Sequence, residues 1–258
     1  MNPPLHPFDT LRVLSRSVTL AYPDALLAER LAALAQEPIH AEGFMPFQNH
    51  WSNAPGDVRA ERVREHLARS REEATPDDWS LPMVVLNEHR EVIGCQSLTA
   101  RGFGMLGTLT TGSWLARRHQ GQGYGTLMRR AALALAFSGL HAAKARTVAR
   151  ADNTASLRVT EKIGYRKVSE STHVYLGEEV PTVGYEMTRS QWPKSPGHLS
   201  PVLAGTYRAR AYLGVELPSR TKDRDPLLVL SSKKPLVYAT LPRRRKFENP
   251  EQGLDNPR

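Results

Sequence analysis

The chain has 258 residues, 40% of them hydrophobic, with a single cysteine and a formal net charge of +9. One cysteine excludes an intramolecular disulfide and a cysteine-built zinc site, and no apolar run reaches the roughly 18 residues a membrane span needs. The charge excludes less than its size promises: residues 1–192 carry 22 Lys and Arg against 20 Asp and Glu, whereas residues 193–258 carry 13 against 6. The excess therefore sits mostly at the end, and says little about what the remainder binds.

In chain order, LRVLSRSVTL reads as a strand. PDALLAERLAALA follows as a helix, with Leu27, Leu31 and Leu34 on one face and Pro23 at its start. The next stretch, GFMPFQNHWSNAPG, is an aromatic, uncharged loop, and residues 57–70 form a second helix with Val63 and Leu67 four apart. MVVL and VIGCQSL are two strands joined by the polar turn NEHR. GMLGTLTTGSWLA is a further strand, with a bulge or close backbone approach expected at Gly112.

RRHQGQGYGTLMRRAALALAF then opens an apolar helix running to about Ser138. ARTVARA is a short strand. NTASLRVTEKIG is a helix with Ala155, Val159 and Ile163 on one face and Gly164 as its stop. YRKVSES and TVGYEMTR close the series as strands. The order predicts an α/β fold, a mixed sheet with helices on its faces, within residues 1–192. From Pro193 the composition shifts: residues 193–258 hold 9 of the 19 prolines and the run PRRRKF, with no sustained period. They are expected to form an extended, mostly disordered basic tail, a tether for nucleic acid being the alternative. No internal repeat is found.

Glycines 121, 123 and 125 carry the chemistry. They lack the Lys-Ser/Thr of a P-loop, and Thr126 stands where a dinucleotide fold needs its third glycine. What remains is a bare backbone between a strand and a helix, where unsatisfied N–H groups and the helix dipole both favour an anion. Arg117 and Arg118 add charge nearby.

Gln120, Gly123 and Gly125 fit the Gln/Arg-x-x-Gly-x-Gly/Ala signature, and DNTASLRVTEKIGYRKV resembles a second element, an Asn-x-x-Ser/Ala helix ending in Glu-Lys-x-Gly-Phe/Tyr. On these two motifs in register, residues 9–192 resemble the GNAT acyltransferases. GSWLARRHQGQGYG, NTAS and the loop FMPFQNHWSNAPG are closest to the branch of ribosomal-protein N-terminal acetyltransferases.

The resemblance implies a GNAT fold with a mixed, mostly antiparallel central sheet, and acetyl-CoA as cosubstrate. The pyrophosphate would sit on the backbone of Gln120, Gly121, Gln122, Gly123, Tyr124, Gly125 and Thr126. The pantetheine arm would pair with the backbone around Trp114, Leu115 and Ala116, with the Leu115 N–H on the thioester oxygen. Asn153 would hold a pantetheine amide, and Ser156 would face the sulfur as candidate general acid. Phe44, Phe47 and Trp51 would line the acceptor pocket. Read locally, Asn153 is also an ordinary helix cap, and the three aromatics also serve to pin a long loop.

Two departures stand out. Many relatives carry a glutamate base on the family's fourth strand, but residues 104–120 contain no Asp or Glu; Thr160 stands where many relatives place a tyrosine acid. The base is unassigned, with Glu42, His50, Asp57, His173 and Tyr175 as candidates by location. The implied function is acyl transfer, acetyl in the first instance, to a primary amine on a protein N-terminus or a small molecule, by direct attack. A succinyl-CoA-using transferase and a non-catalytic CoA-binding module are the alternatives. No metal, membrane or nucleic-acid partner is expected outside the basic tail, a homodimer is left open, and a cytoplasmic location is expected.

Overall fold

A computed structural model describes residues 6–48, 50–175 and 178–215. Its strands are β1 (Arg12–Leu14), β2 (Val18–Ala21), β3 (Trp79–Asn87), β4 (Val92–Ala100), β5 (Thr108–Leu115), β6 (Lys144–Arg150), β7 (Arg166–Tyr175), β8 (Glu178–Thr188) and β9 (Val202–Ala204). They form one sheet in the order β7-β8-β6-β5-β4-β3-β2-β1-β9, antiparallel at every pairing except β5 with β6.

The helices that position the site are α1 (Ala25–Leu34), α2 (Gly56–Glu72), α4 (Tyr124–Ala134) and α5 (Thr154–Ile163), with a one-turn α3 (Phe103–Leu106) and a terminal α6 (Thr206–Leu213). α1 starts where Asp24 accepts the Leu27 N–H at 2.8 Å. Leu31 and Leu34 of α1, with Ala60, Val63 and Leu67 of α2, pack on Val84, Val92 and Cys95 on one face of the sheet. α4 buries Met128, Ala131, Ala132, Leu133 and Ala134 against the other face, where Leu81, Met83 and Val85 await it. Alternate residues of β3 thus enter two different cores, which is why its sequence is a continuous apolar run rather than an alternation.

Two local expectations are corrected. LRVLSRSVTL is a hairpin, β1 and β2, rather than one strand. Gly112 carries no bulge: the β4–β5 ladder runs without a shift from Gly94 opposite Leu115 to Ala100 opposite Leu109. The register shift falls in β4, where the pairing with β3 passes over Ile93. The close approach falls at Gly94 instead, where a Cβ would lie 2.2 Å from the Trp114 carbonyl oxygen.

The expected boundary at residue 192 is also corrected. β9 pairs with β1, and α6 places Ala209 and Leu213 in the main core. Arg210 of α6 donates to the Gly139 carbonyl at 3.1 Å, capping the wide turn that ends the long apolar helix. Short apolar pieces between prolines gain their stability here from a sheet edge and a core groove formed by distant sequence. Residues 216–258, the remainder of the expected tail, lie outside the described residues.

Candidate active site

The parallel ladder between β5 and β6 is short. It pairs Thr108, Leu109 and Thr110 with Lys144, Ala145 and Arg146, and then the strands part. At the parting, hydroxyls replace the ladder: Thr111 Oγ1 donates to the Arg146 carbonyl at 3.2 Å, and Thr147 Oγ1 to the Thr111 carbonyl at 3.0 Å. Beyond this apex the two strands form a V.

Register decides which backbone groups face into the V. Ala116 donates to Ile93, so along β5 the even residues bond to β4 and the odd ones turn the other way. Of the expected trio, Trp114 and Ala116 are therefore consumed by the sheet, and the Leu115 N–H faces the opening. Ser113, which sequence reading missed, faces it as well. The parity of the strand, counted from Leu115, was the signal that locates it.

The cradle lies at the open end. Gly121 and Gly123 have φ of +73° and +87°, a conformation that disfavours any side chain, and a Cβ at either would meet no atom within 4 Å. α4 begins directly after Gly123 with no side-chain cap, and among the described residues no protein acceptor takes the N–H groups of residues 121–125. Bare donors over open space suit the diphosphate of CoA. The Gln120 side chain serves differently: its Nε2 donates to the carbonyls of Ile39 at 2.6 Å and Leu115 at 2.9 Å, tying the end of β5 to the chain after α1. Tyr124 points its hydroxyl at the Glu88 carboxylate, and Thr126 is buried at the root of the loop.

At the start of α5, Asn153 Oδ1 accepts the Ser156 N–H at 3.1 Å while its Nδ2 donates to the Pro46 carbonyl at 3.0 Å. The cap reading of Asn153 holds in this structure, and the same side chain also holds the aromatic loop. The Ser156 hydroxyl has no partner among the described residues, whereas Thr160 is buried and donates back to the Ser156 carbonyl at 2.8 Å. Thr160 is thus withdrawn from chemistry.

The loop between α1 and α2 forms a wall against β5. Phe47 lies 5.5 Å from Trp51, and Trp51 lies 5.8 Å from Trp114. Phe44 is exposed and stands outside this stack. On the same face of the sheet a cavity of about 380 Å³ opens beside Thr99, Thr108 and Thr110, with Arg101, Lys144 and Arg146 around it. Glu186 pairs with Lys144 and Arg146; burial opposes its ionisation, but their hydrogen bonds outweigh that and hold its carboxyl below the usual range.

Of the five candidate bases, Glu42 and Asp57 are exposed, and His173 is an exposed residue of β7 beside Ser171. The Tyr175 side chain lies outside the described residues. His50 adjoins Trp51 in the aromatic loop, with Nε2 3.8 Å from the Glu178 carboxylate.

A second group missed in the sequence closes the apex of the V. Arg129 of α4 is buried, 4% exposed, and donates to Gln96 at 3.4 Å, Thr147 at 3.1 Å and Ser113 at 3.1 Å. Tyr165 stands against the same guanidinium, its phenol 3.5 Å from Thr111 and pushed up in pKa by burial. Arg129 reads in sequence as one of two arginines interrupting an apolar run, and only the fold shows which of them turns inward.

The model of the acetyltransferase (GNAT) domain matches residues 18–166, more than half of the chain. The chain belongs to the GNAT acetyltransferase family. Solved GNAT structures superpose on it accordingly. Mycobacterium smegmatis RimJ in complex with CoA-disulfide is 20% identical, covers 78% of this chain and 92% of its own, and has a TM-score of 0.56. A spermidine N-acetyltransferase chimera from Vibrio cholerae and hSSAT is 16% identical over 69% of this chain and 98% of its own, with a TM-score of 0.54. A ribosomal-protein-S5-alanine acetyltransferase from Vibrio fischeri is 14% identical over 69% and 96%, with a TM-score of 0.53. At these identities they establish the GNAT fold, and with it the mixed sheet in which the V sits.

Proposed function

We propose that this protein transfers an acyl group from a CoA thioester to a primary amine by direct attack. The observation that carries this reading is a line of donors unpaired among the described residues: the N–H groups of residues 121–125 at the head of α4, then those of Leu115 and Ser113 along the open side of β5. The first set receives the diphosphate. The Leu115 N–H lies against the thioester oxygen and stabilises the negative charge that develops as the amine attacks, because it is fixed in place beforehand.

The amine must be neutral to attack. We assign the base to His50, which the aromatic wall holds next to Trp51 and which the Glu178 carboxylate orients. A histidine on the opposite wall then serves in place of the strand carboxylate many relatives use. The Ser156 hydroxyl, unengaged at the head of α5, delivers a proton to the departing thiolate. Nitrogen gains the acyl carbon and loses a proton to His50, the C–S bond breaks, sulfur takes the Ser156 proton, and exchange with solvent returns a proton to Ser156 and removes one from His50.

The acceptor face favours a protein N-terminus over a polyamine. Three cations ring the cavity beside β5, and among the described residues only Glu186 pairs with any of them, which opposes a second ammonium on the acceptor. The test is a thermal shift of the full chain with CoA, followed by turnover against peptides and polyamines. A ligand at 100 times its dissociation constant stabilises the fold by about 2.7 kcal/mol. Stabilisation with no turnover on any amine would leave a CoA-binding module in place of an enzyme. No stabilisation at saturating CoA would remove the cradle itself.

A further inference from the structure

Arg129 is the exception to how buried charge is handled here. Two arginines are buried among the described residues, Arg129 and Arg210. Arg210 caps the carbonyl end of a helix, where the dipole supplies partial negative charge. Arg129 faces only neutral oxygens, those of Gln96, Thr147, Ser113 and Tyr165, and no carboxylate of the described residues comes within 4.0 Å. A buried guanidinium without a counter-charge is costly, and the cost falls when an anion arrives.

Its position says which anion. The cradle lies beyond the C-terminal end of β5, so an arm that starts there and runs along β5 travels back toward Ser113 and Thr111. With the thioester at Leu115, Ser113 lies about 7 Å further on at the rise of a strand. An acetyl methyl stops short of Ser113 and leaves the guanidinium without a counter-charge. A succinyl-type chain spans the gap and sets its terminal carboxylate at the apex of the V, within reach of the arginine fork.

Resting on the CoA reading above, we propose that the acyl group this protein selects ends in a carboxylate, held by Arg129 with Ser113 and Thr147. The group transferred is then of the succinyl class and not acetyl. The carboxylate is a spectator: the amide C–N bond forms, the C–S bond breaks, the amine loses a proton and sulfur gains one, and the product carries a new negative charge.

The experiment compares dissociation constants of the full chain for CoA, acetyl-CoA, succinyl-CoA and butyryl-CoA, the last being a neutral chain of similar length. The expected result is at least tenfold tighter binding of succinyl-CoA than of butyryl-CoA or acetyl-CoA. Arg129→Gln should bring the ratio to near one with CoA affinity retained, and Arg129→Lys should keep part of it. Equal binding of succinyl-CoA and butyryl-CoA by the unmodified protein overturns the proposal and needs no variant. So does a preference that survives in Arg129→Gln. Failure of CoA itself to bind overturns the transferase reading and this one together, so the two failures are distinguishable.

Discussion

Asn153 and Pro46, 107 residues apart in the chain, are joined by a 3.0 Å hydrogen bond from Nδ2 to the carbonyl oxygen. The same amide caps α5, so one side chain sets both the start of that helix and the aromatic loop between α1 and α2. Asn153→Asp keeps the acceptor for Ser156 and removes the donor to Pro46; Asn153→Ala removes both. Asn153→Ala should cost about 1 kcal/mol of stability, and Asn153→Asp less. Both should speed hydrogen exchange in residues 40–55 to the same extent. Unchanged exchange in Asn153→Asp would show that the loop is held by other means.

Gly123→Val should weaken CoA binding at least tenfold, because it forces a β-branched residue into a left-handed conformation and pushes its side chain over the donors. Gly112→Ala is the matched control. Its added methyl meets nothing within 4 Å and lies on the face proposed for the acceptor, so CoA affinity should hold while the KM for the amine rises. Calorimetry with CoA reads the affinity of each variant, and steady-state rates over a range of amine concentrations read the KM.

Ser156→Ala should lower kcat at least tenfold with little change in CoA affinity, if its hydroxyl supplies the leaving proton. Thr160→Val should leave kcat intact, since that hydroxyl is already committed to the Ser156 carbonyl. Steady-state rates on one amine, with binding measured separately, decide it. Equal loss in both variants would point to helix geometry.

A chain ending at residue 192 should be much less stable than one ending at residue 215. The shorter piece loses β9, Ala209 and Leu213, and uncovers the core beneath them. Burial of a single leucine contributes about 1.5–3 kcal/mol, so the deficit should exceed about 3 kcal/mol. Matching denaturant midpoints for the two would mean that β9 and α6 are dispensable.

Acid should destabilise the fold in two stages. Burial, together with Arg71, holds the His6 ring below its ordinary 6.5, with Asp9 opposing. The folded state therefore prefers the neutral ring; this contribution is intact above 6.5 and is lost as pH falls below it. Burial pushes the Asp9 carboxyl up, but hydrogen bonds from Arg71 and the His6 N–H outweigh it and hold it below 3.8. That second contribution is complete above 3.8 and disappears as pH falls through the folded-state value. Arg71 is more than a third exposed, so Asp9→Asn should cost only about 1 kcal/mol at neutral pH. Melting temperatures from pH 8 to 3 should show His6→Gln flattening the upper stage and Asp9→Asn the lower.

The parts of the fold legible in the sequence are those whose local signals agree with their surroundings. α5 has a capping Asn153, an apolar face and a stop at Gly164, and it forms where those features place it. The cradle was legible for the same reason, since glycine alone determines the backbone there. β9 and α6 were not legible: three and eight residues among prolines carry no period long enough to read, and their partners lie at the other end of the sequence. The site divided in the same way. The proposed roles of Leu115 and the glycines are backbone roles, which a motif can place, whereas the surroundings of Arg129 are built from α4, β4, β5 and β6 at once.

The pairing of Arg12–Leu14 with Val202–Ala204 also has a bearing on how the protein is made. An edge closed by two strands from opposite ends of the described chain cannot form until the later one has been synthesised and has left the ribosome. Until then the groove that receives Ala209 and Leu213 is open to solvent, and the apolar underside of α4 is incompletely covered. Loop closure over so much chain is slow, and its entropy is lost before those contacts compensate. The nascent protein is therefore most vulnerable to aggregation late in translation, after the cradle has been made and before the last strand docks.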